Sequence, residues 1–463
     1  MLVATLGVLS LVAASCGGDD DDAADTATTS AEGATEATEG DAATTAAETT
    51  AAEEDVATTE AESETTEAET GTTGGAAEEP TGTPVKIGVI YAETGRTGGT
   101  YNTVDDVANA WAEWVNTEQG GVNGHPVEIA AVDDTSTGEG AVAAARELVE
   151  TEGVVGIVIQ DSAAEVATVD YLAEQGVPYI GGTANNRPVD GGDTSWPNTH
   201  FVTAPSNPGT AAGTLLAASA IGQTAYGATV CAEVPACAEA GQLYQPVADA
   251  VGIEYVGLVT VGAADPSYTA PCLEMIAKGA DFINLGVAGE TGLRVIEECT
   301  IQGYQGPFGA ANNTVVASQF EPVEGLRLAG VINGFPWWAD APPVDAYNTA
   351  LETYGGVDGR NPSATSTWAA LELFRKAMTE YGPAADAEVT ATDVVDSYYQ
   401  VQDETLDGLL PSPISFVPEG PQPYVPCFWL FDMQDAEFST VTLGDSGNGA
   451  TGDLQSSCFS LGG

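Results

Sequence analysis

Basic side chains are the scarcest resource in this sequence. Ten Lys and Arg stand against 69 Asp and Glu, a formal charge of −59, and no basic residue precedes Lys86. A chain of this sign repels nucleic acid and anionic membrane surfaces, so neither is an expected partner. Histidine occurs twice, at His125 and His200, too far apart to suggest a metal cluster. There is no dinucleotide fingerprint, no P-loop, no H-E-x-x-H and no G-x-S-x-G, and the turn Gly95-Arg96-Thr97-Gly98-Gly99 lacks the glycine spacing that a dinucleotide needs. No catalytic residue, cofactor or metal is assigned, and an enzyme is not expected. Cysteine is also sparse, at seven, and no two have C-x-x-C spacing, which speaks against redox or zinc roles.

What is present begins with an apolar stretch. Residues 2–16, LVATLGVLSLVAASC, are too short to cross a bilayer but fit a secretory h-region. The run Val12-Ala13-Ala14-Ser15-Cys16, followed by Gly17-Gly18, resembles a bacterial lipobox, which implies lipidation of Cys16; an ordinary cleaved leader is the alternative. The basic n-region is missing, so a true start upstream of Met1 is expected. Residues 17–82 are Ala, Thr, Glu, Asp, Gly and Ser almost throughout, with twenty acidic residues from Asp19 to Glu79 and no basic ones. Such a segment buries too little surface to offset its ordering entropy, and its charges repel. It reads as a disordered tether, able to reach on the order of 200 Å when stretched. With an export signal, the six remaining cysteines imply disulfides. Pairing of sequence neighbours gives Cys231–Cys237, Cys272–Cys299 and Cys427–Cys458, one of fifteen possible connectivities.

From Val85 onward, apolar β-branched runs alternate with segments of helical spacing. VKIGVIY, then Thr103–Asn116, then Pro126–Val132 read as strand, helix and strand, which makes the two strands parallel. The alternation continues through GVVGIVIQ, Ser162–Gln175 and Val177–Ile180, and a second series runs from Thr210 to Gly334. Helices Val344–Tyr354 and Thr365–Tyr381 and extended stretches at Ile414–Val417 and Tyr424–Asp432 follow. The expected fold class is α/β, with two doubly wound lobes joined by three crossover segments and a ligand cleft between them. Lobe one is assigned residues 83–203 and 336–435, lobe two residues 204–335, and a C-terminal tail residues 436–463. In such sheets ligands bind beyond the carboxyl ends of the strands.

Three stretches carry a family likeness: VKIGVIYAETGRTGGTY, the element N-x-x-x-GG-V-x-G from Asn116 to Gly124, and GIVIQDSAAEVATVDYLAEQGVPYIGG. With FVTAPSNPGTAAGTLLA and DPSYTAPCLEMIAKGADFINL, they resemble the type I periplasmic solute-binding proteins, within them the branched-chain amino-acid (Leu/Ile/Val-binding) family of ABC importers. The resemblance implies the two-lobed fold and a small-molecule ligand: an amino acid, amide or small carboxylate. It implies ABC permease subunits as partners, a lipid-anchored extracytoplasmic location and a monomer. It also implies that Ser162 holds a carboxylate at a helix start, where free N–H groups favour an anion; Asp161 beside it is a further candidate, whose carboxylate would compete with an anionic ligand unless it points away or binds an ammonium. Helix capping alone would equally explain Ser162. Thr183, Ala184 and Asn185 match a second ligand loop, and Tyr101 matches an aromatic that packs on the ligand. The second lobe departs from the family, with CAEVPAC, GVAGETG and GAANNTV free of tyrosine; Glu233, Glu290 and Asn312 are its polar candidates. Trp337 and Trp338 suit either the cleft or buried packing at a crossing. The expected function is capture of a solute by cleft closure for an importer, and the alternative is a ligand-sensing receptor domain without transport.

Overall fold

The computed structural model describes residues 78–181, 196–205, 207–232, 235–419, 422, 425–443 and 454–459. The leader, Cys16, nearly all of the acidic segment, and the loop residues Thr183, Ala184, Asn185 and Glu233 lie outside the described residues.

The first sheet is built from β1 (Val85–Tyr91), β2 (Val127–Asp133), β3 (Ile157–Ile159), β4 (Tyr179–Ile180) and β5 (His200–Phe201), in the order β2-β1-β3-β4-β5 and parallel throughout. Between them run α1 (Gly98–Tyr101), α2 (Val104–Glu118), α3 (Gly138–Arg146) and α4 (Ser162–Gln175). The glycine-rich element after α2 has a local role. The Asn116 amide accepts from Val127 N at 2.8 Å and donates to Val127 O at 2.9 Å, fixing the start of β2. Asn123 turns the chain at a φ of 51°, a left-handed conformation that Asn tolerates better than most residues.

The second series supplies α5 (Asn207–Ala220), β6 (Ala225–Cys231), α6 (Pro235–Val251), β7 (Glu254–Val261), α7 (Thr269–Ala277), β8 (Phe282–Gly286), α8 (Gly289–Ile301), β9 (Phe308–Ala311), α9 (Ala317–Phe320) and β10 (Arg327–Ile332). Three helices return to the first sheet: α10 (Pro342–Ala350), α11 (Pro362–Tyr381) and α12 (Ala391–Tyr398). Trp368 of α11 meets Trp114 of α2 with ring centroids 5.1 Å apart, and Trp111 Nε1 donates to Glu372 Oε1 at 2.8 Å. Tyr398 of α12 stacks on Phe201 at 4.5 Å.

The chain then ends in the other sheet. β11 (Cys427–Gln434) runs antiparallel to β10, β12 (Glu437–Val441) forms a hairpin with β11, and β13 (Ser457–Cys458) pairs with β11 beyond it. The second sheet thus reads β12-β11-β10-β9-β8-β6-β7. The assignment of residues 336–435 to the first lobe and 436–463 to a tail is corrected here for residues 427–441 and 457–458. FWLFDM is apolar on both faces, so its pattern shows a buried strand without showing which sheet it completes. The hairpin turns through Asp435 and Ala436, at φ 51° and 65°, the left-handed pair that a tight turn between twisted strands requires.

The structure joins Cys231 to Cys237, Cys272 to Cys299 and Cys427 to Cys458. Trp337 and Trp338 pack on the hairpin. Trp338 stacks on Phe438 at 5.3 Å and donates from Nε1 to Thr440 Oγ1 at 3.1 Å. Among the described residues, no helix is long and apolar enough to cross a membrane.

Candidate functional site

Parallel strands bring every loop that follows a carboxyl end to one edge of its sheet. At the first sheet, β1 leads into Thr94 and Thr97, β2 into Asp134 and Ser136, and β3 into Gln160 and Asp161. These residues interlock. Asp161 caps α4, its Oδ1 accepting from Ala163 N at 2.7 Å, while its Oδ2 accepts from Thr97 Oγ1 at 2.9 Å. Thr97 Oγ1 lies 2.8 Å from Ser136 Oγ, and Ser136 Oγ donates to Thr94 O at 2.7 Å.

Two adjacent carboxylates here are driven in opposite directions. Burial works against the charge of Asp133, but the Thr94 hydroxyl and the N–H groups of Thr135, Thr94 and Glu93 outweigh it and hold its pKa below the usual range. Asp134 is 0% exposed and accepts one side-chain hydrogen bond, from Ser136 N at 2.7 Å. Its Oδ2 is buried without a partner. Burial first, then the charge of Asp161, push its pKa up to about 7.

The second sheet presents amides. Asn312 follows β9 and Asn333 follows β10, its parallel neighbour. Asn312 sits at a φ of 50°, donates from Nδ2 to Thr210 Oγ1 at 3.0 Å, and leaves Oδ1 buried and unpaired. Asn333 is 4% exposed and neither of its amide atoms has a partner. Gln319, on α9, donates from Nε2 to Gly99 O at 3.3 Å and leaves Oε1 unpaired. That bond joins the second half of the molecule to α1. Gly334 makes the approach of α11 possible, because a Cβ there would lie 2.0 Å from Thr365 Oγ1.

The residues expected from sequence divide as follows. Asp161 and Asn312 sit at strand ends, in the two networks just described. Glu290 is exposed at the start of α8, near the rim: a Cβ on Gly99 would stand 4.0 Å from its Oε1. Ser162 opens α4, and the N–H of the next residue, Ala163, is already occupied by Asp161. Tyr101 is 7% exposed and belongs to the hydrophobic core. Asp134, Gln160, Thr97, Ser136, Gln319 and Asn333 lie outside the sequence expectation. For Asp134, Gln160 and Asn333 the signal is positional, since each stands next after the last residue of a strand, as the expected Asn312 does.

A further buried pair links α4 to β5. Glu165 Oε1 of α4 and His200 Nε2 of β5 meet at 3.0 Å, and the His200 ring is stacked between Tyr179 at 4.1 Å and Trp196 at 4.2 Å. Among the described residues no group of three or more His, Cys, Asp or Glu could hold a metal ion.

A profile described as periplasmic binding protein matches residues 84–437. The chain belongs to the periplasmic binding protein family. No curated protein sequence matches it. Solved structures similar to this periplasmic binding protein include a leucine binding protein from Thermotoga maritima, at 16% identity and a TM-score of 0.60, covering 77% of this chain and 97% of that one. A branched-chain amino acid transporter substrate binding protein from Streptococcus pneumoniae, in complex with isoleucine, is 14% identical with a TM-score of 0.61, covering 79% and 99%. A solute binding protein of an ABC transporter from Rhodopseudomonas palustris, in complex with 3,4-dihydroxybenzoic acid, is 15% identical with a TM-score of 0.58, covering 77% and 95%. At these identities the likeness establishes the fold, and the three proteins differ in what they bind. Membership in this family of binding proteins implies an extracytoplasmic setting.

Proposed function

We propose that this periplasmic binding protein captures a small polar solute between its two lobes and delivers it to the permease of an ABC importer. One observation carries the reading: buried polar atoms without protein partners collect at the carboxyl ends of both sheets, at Asp134, Gln160, Asn312 and Asn333. An unpaired buried polar group costs about 1–3 kcal/mol, and a fold retains several in one region when a ligand completes them. Closure then requires only that the closed state make better contacts with the ligand than the open one. The Gln319–Gly99 bond is one contact that closure would form. Lipidation at Cys16 and the acidic tether would hold the folded lobes outside the membrane within reach of a permease.

A thermal-shift panel of amino acids, amides, urea and small carboxylates tests the reading. A ligand at a hundred times its Kd stabilises by about 2.7 kcal/mol, so a member that binds raises the melting temperature visibly. A panel with no stabilising member would sink it. Replacing Ser162 and Thr183 together by alanine is expected to weaken binding of whichever member stabilises the parent.

A further inference from the structure

The helix N-terminus nearest the first wall already holds a carboxylate. Free N–H groups and the helix dipole make such a terminus a seat for an anion. In this chain the Asp161 carboxylate takes the seat, accepting from Ala163 N at 2.7 Å and from Thr97 Oγ1 at 2.9 Å, at 5% exposure. A ligand carboxylate arriving there would meet the negative charge of Asp161, which already takes the N–H of Ala163. Asp134, close enough to Asp161 for the two charges to interact, adds a second acceptor, Oδ2, which is buried and unpaired. Asn312 Oδ1 and Gln319 Oε1 repeat the pattern on the other side, each with its amide nitrogen committed to the protein and its oxygen unpaired. The unpaired donors among these residues are Gln160 Nε2 and Asn333 Nδ2. Two cations stand in the turns nearby among the described residues. Arg96 is exposed, and Arg360 is committed to Asp358 at 2.9 Å and Glu321 at 2.8 Å.

Building on the solute-capture reading, we infer that the cleft takes a ligand that presents N–H donors, an amide or an ammonium, to the Asp134–Asp161 wall and places no carboxylate there. The chemistry is that of a nitrogen-rich neutral or cationic solute. It separates this chain from a binder that grips an anionic end of its ligand at a helix terminus.

The test uses the lipid-free secreted chain and matched pairs that differ at one group: leucine with leucinamide, glycine with glycinamide, and acetate with acetamide, together with urea and putrescine. Calorimetry or thermal shift reads each member. The expected result is that at least one of the three amides binds and that its carboxylate counterpart binds at least about tenfold more weakly, a difference of roughly 1.4 kcal/mol. Comparison of leucinamide and putrescine with acetamide and urea shows whether a positive charge adds to the donor. Asp161→Ser keeps a capping residue while removing the carboxylate, and is expected to narrow the amide-over-carboxylate preference by about tenfold. A carboxylate that binds more tightly than its amide overturns the inference and leaves solute capture standing. A panel in which nothing binds overturns both. An Asp161→Ser protein that melts as the parent does and keeps the parent's preference places the donor site elsewhere and overturns the inference alone.

Discussion

The two halves of this molecule share a doubly wound plan and are held together by different means. The first sheet contains no cysteine and is parallel to its edges, two of its strands being only two residues long. Its order comes from α11 and α12 packed against it and from buried aromatic stacks. All six paired cysteines belong to the second half, where disulfides link α7 to α8, β6 to α6, and β11 to β13. The carboxyl edges of the two sheets differ too. Carboxylates bonded mainly to their own chain dominate the first, and amides that keep at least one polar atom unpaired dominate the second. One half is therefore sensitive to proton concentration and the other to reduction. Such a pair of lobes can bring unlike chemistry to opposite sides of one solute.

The largest effect expected in the first half concerns Asp134. Its folded pKa, about 7, lies above its ordinary value of 3.8. The stability it contributes is therefore present below pH 3.8 and is lost as pH rises to about 7. Moving a pKa by one pH unit is equivalent to about 1.4 kcal/mol, so Asp134→Asn should gain on the parent by up to about 4 kcal/mol across that window and lie level with it at low pH. Melting temperatures of both proteins from pH 4 to 8 check this; parallel curves would break the contrast between the halves. Next comes the Cys272–Cys299 bridge, which closes a separation of 27 residues. Loop entropy values such a bridge at about 3.5 kcal/mol. Cys272→Ala with Cys299→Ala should lower stability by that order, and hydrogen exchange should rise in β7, β8 and α8 while the β1–β3 core stays protected.

Much of the fold is legible in residue patterns. The expected strand at the start of the domain is β1, and Pro126–Val132 is β2 within one residue. Strong β-branched runs leave little choice. β9 has no such signal, because Phe-Gly-Ala-Ala has low strand propensity. Packing decides it, for a Cβ on Gly309 would lie 2.4 Å from the Phe282 ring. The apolar spacing that marks α11 starts at Thr365, three residues after the helix itself begins. Asn361 and Pro362 spell the N-cap and first helical residue, and Asn361 Oδ1 accepts from Ala364 N at 2.9 Å. α12 is too short for its spacing to stand out, and its signal is the capping box of Thr390 with Asp393. The candidate site is less legible. Family likeness points to Ser162, whereas the hydrogen bonds tie its neighbour Asp161 to the turn after β1, and burial strands the unexpected Asp134 beside it. Which carboxylate is paired and which is stranded depends on contacts between three strand ends, and no sequence window contains them.

A smaller effect tests whether the amide edge is kept for function. Asn333 has both side-chain polar atoms buried without partners. Asn333→Leu is close in volume and removes an unsatisfied group, so it should raise stability by about 1–2 kcal/mol. It should also abolish stabilisation by whichever solute protects the parent. A variant that melts lower than the parent would mean that Asn333 is already satisfied within the fold, and the contrast between a paired and an unpaired edge would fail at that residue.

The smallest effect lies in the hairpin that extends the second sheet. Ala436 adopts a φ of 65° between Asp435 and β12, a conformation in which a Cβ crowds the following backbone and which glycine adopts without that strain. Ala436→Gly is expected to stabilise the hairpin by about 0.5–1 kcal/mol, the steric relief exceeding the added freedom of the unfolded chain. The gain should appear as slower hydrogen exchange in β12, with the first sheet unchanged. If β11 and β12 are a cooperative part of the second sheet, global melting rises with it. If β12 frays independently, its exchange slows while the melting temperature stays fixed, and the antiparallel addition is then a separate unit resting on a sheet that ends at β11.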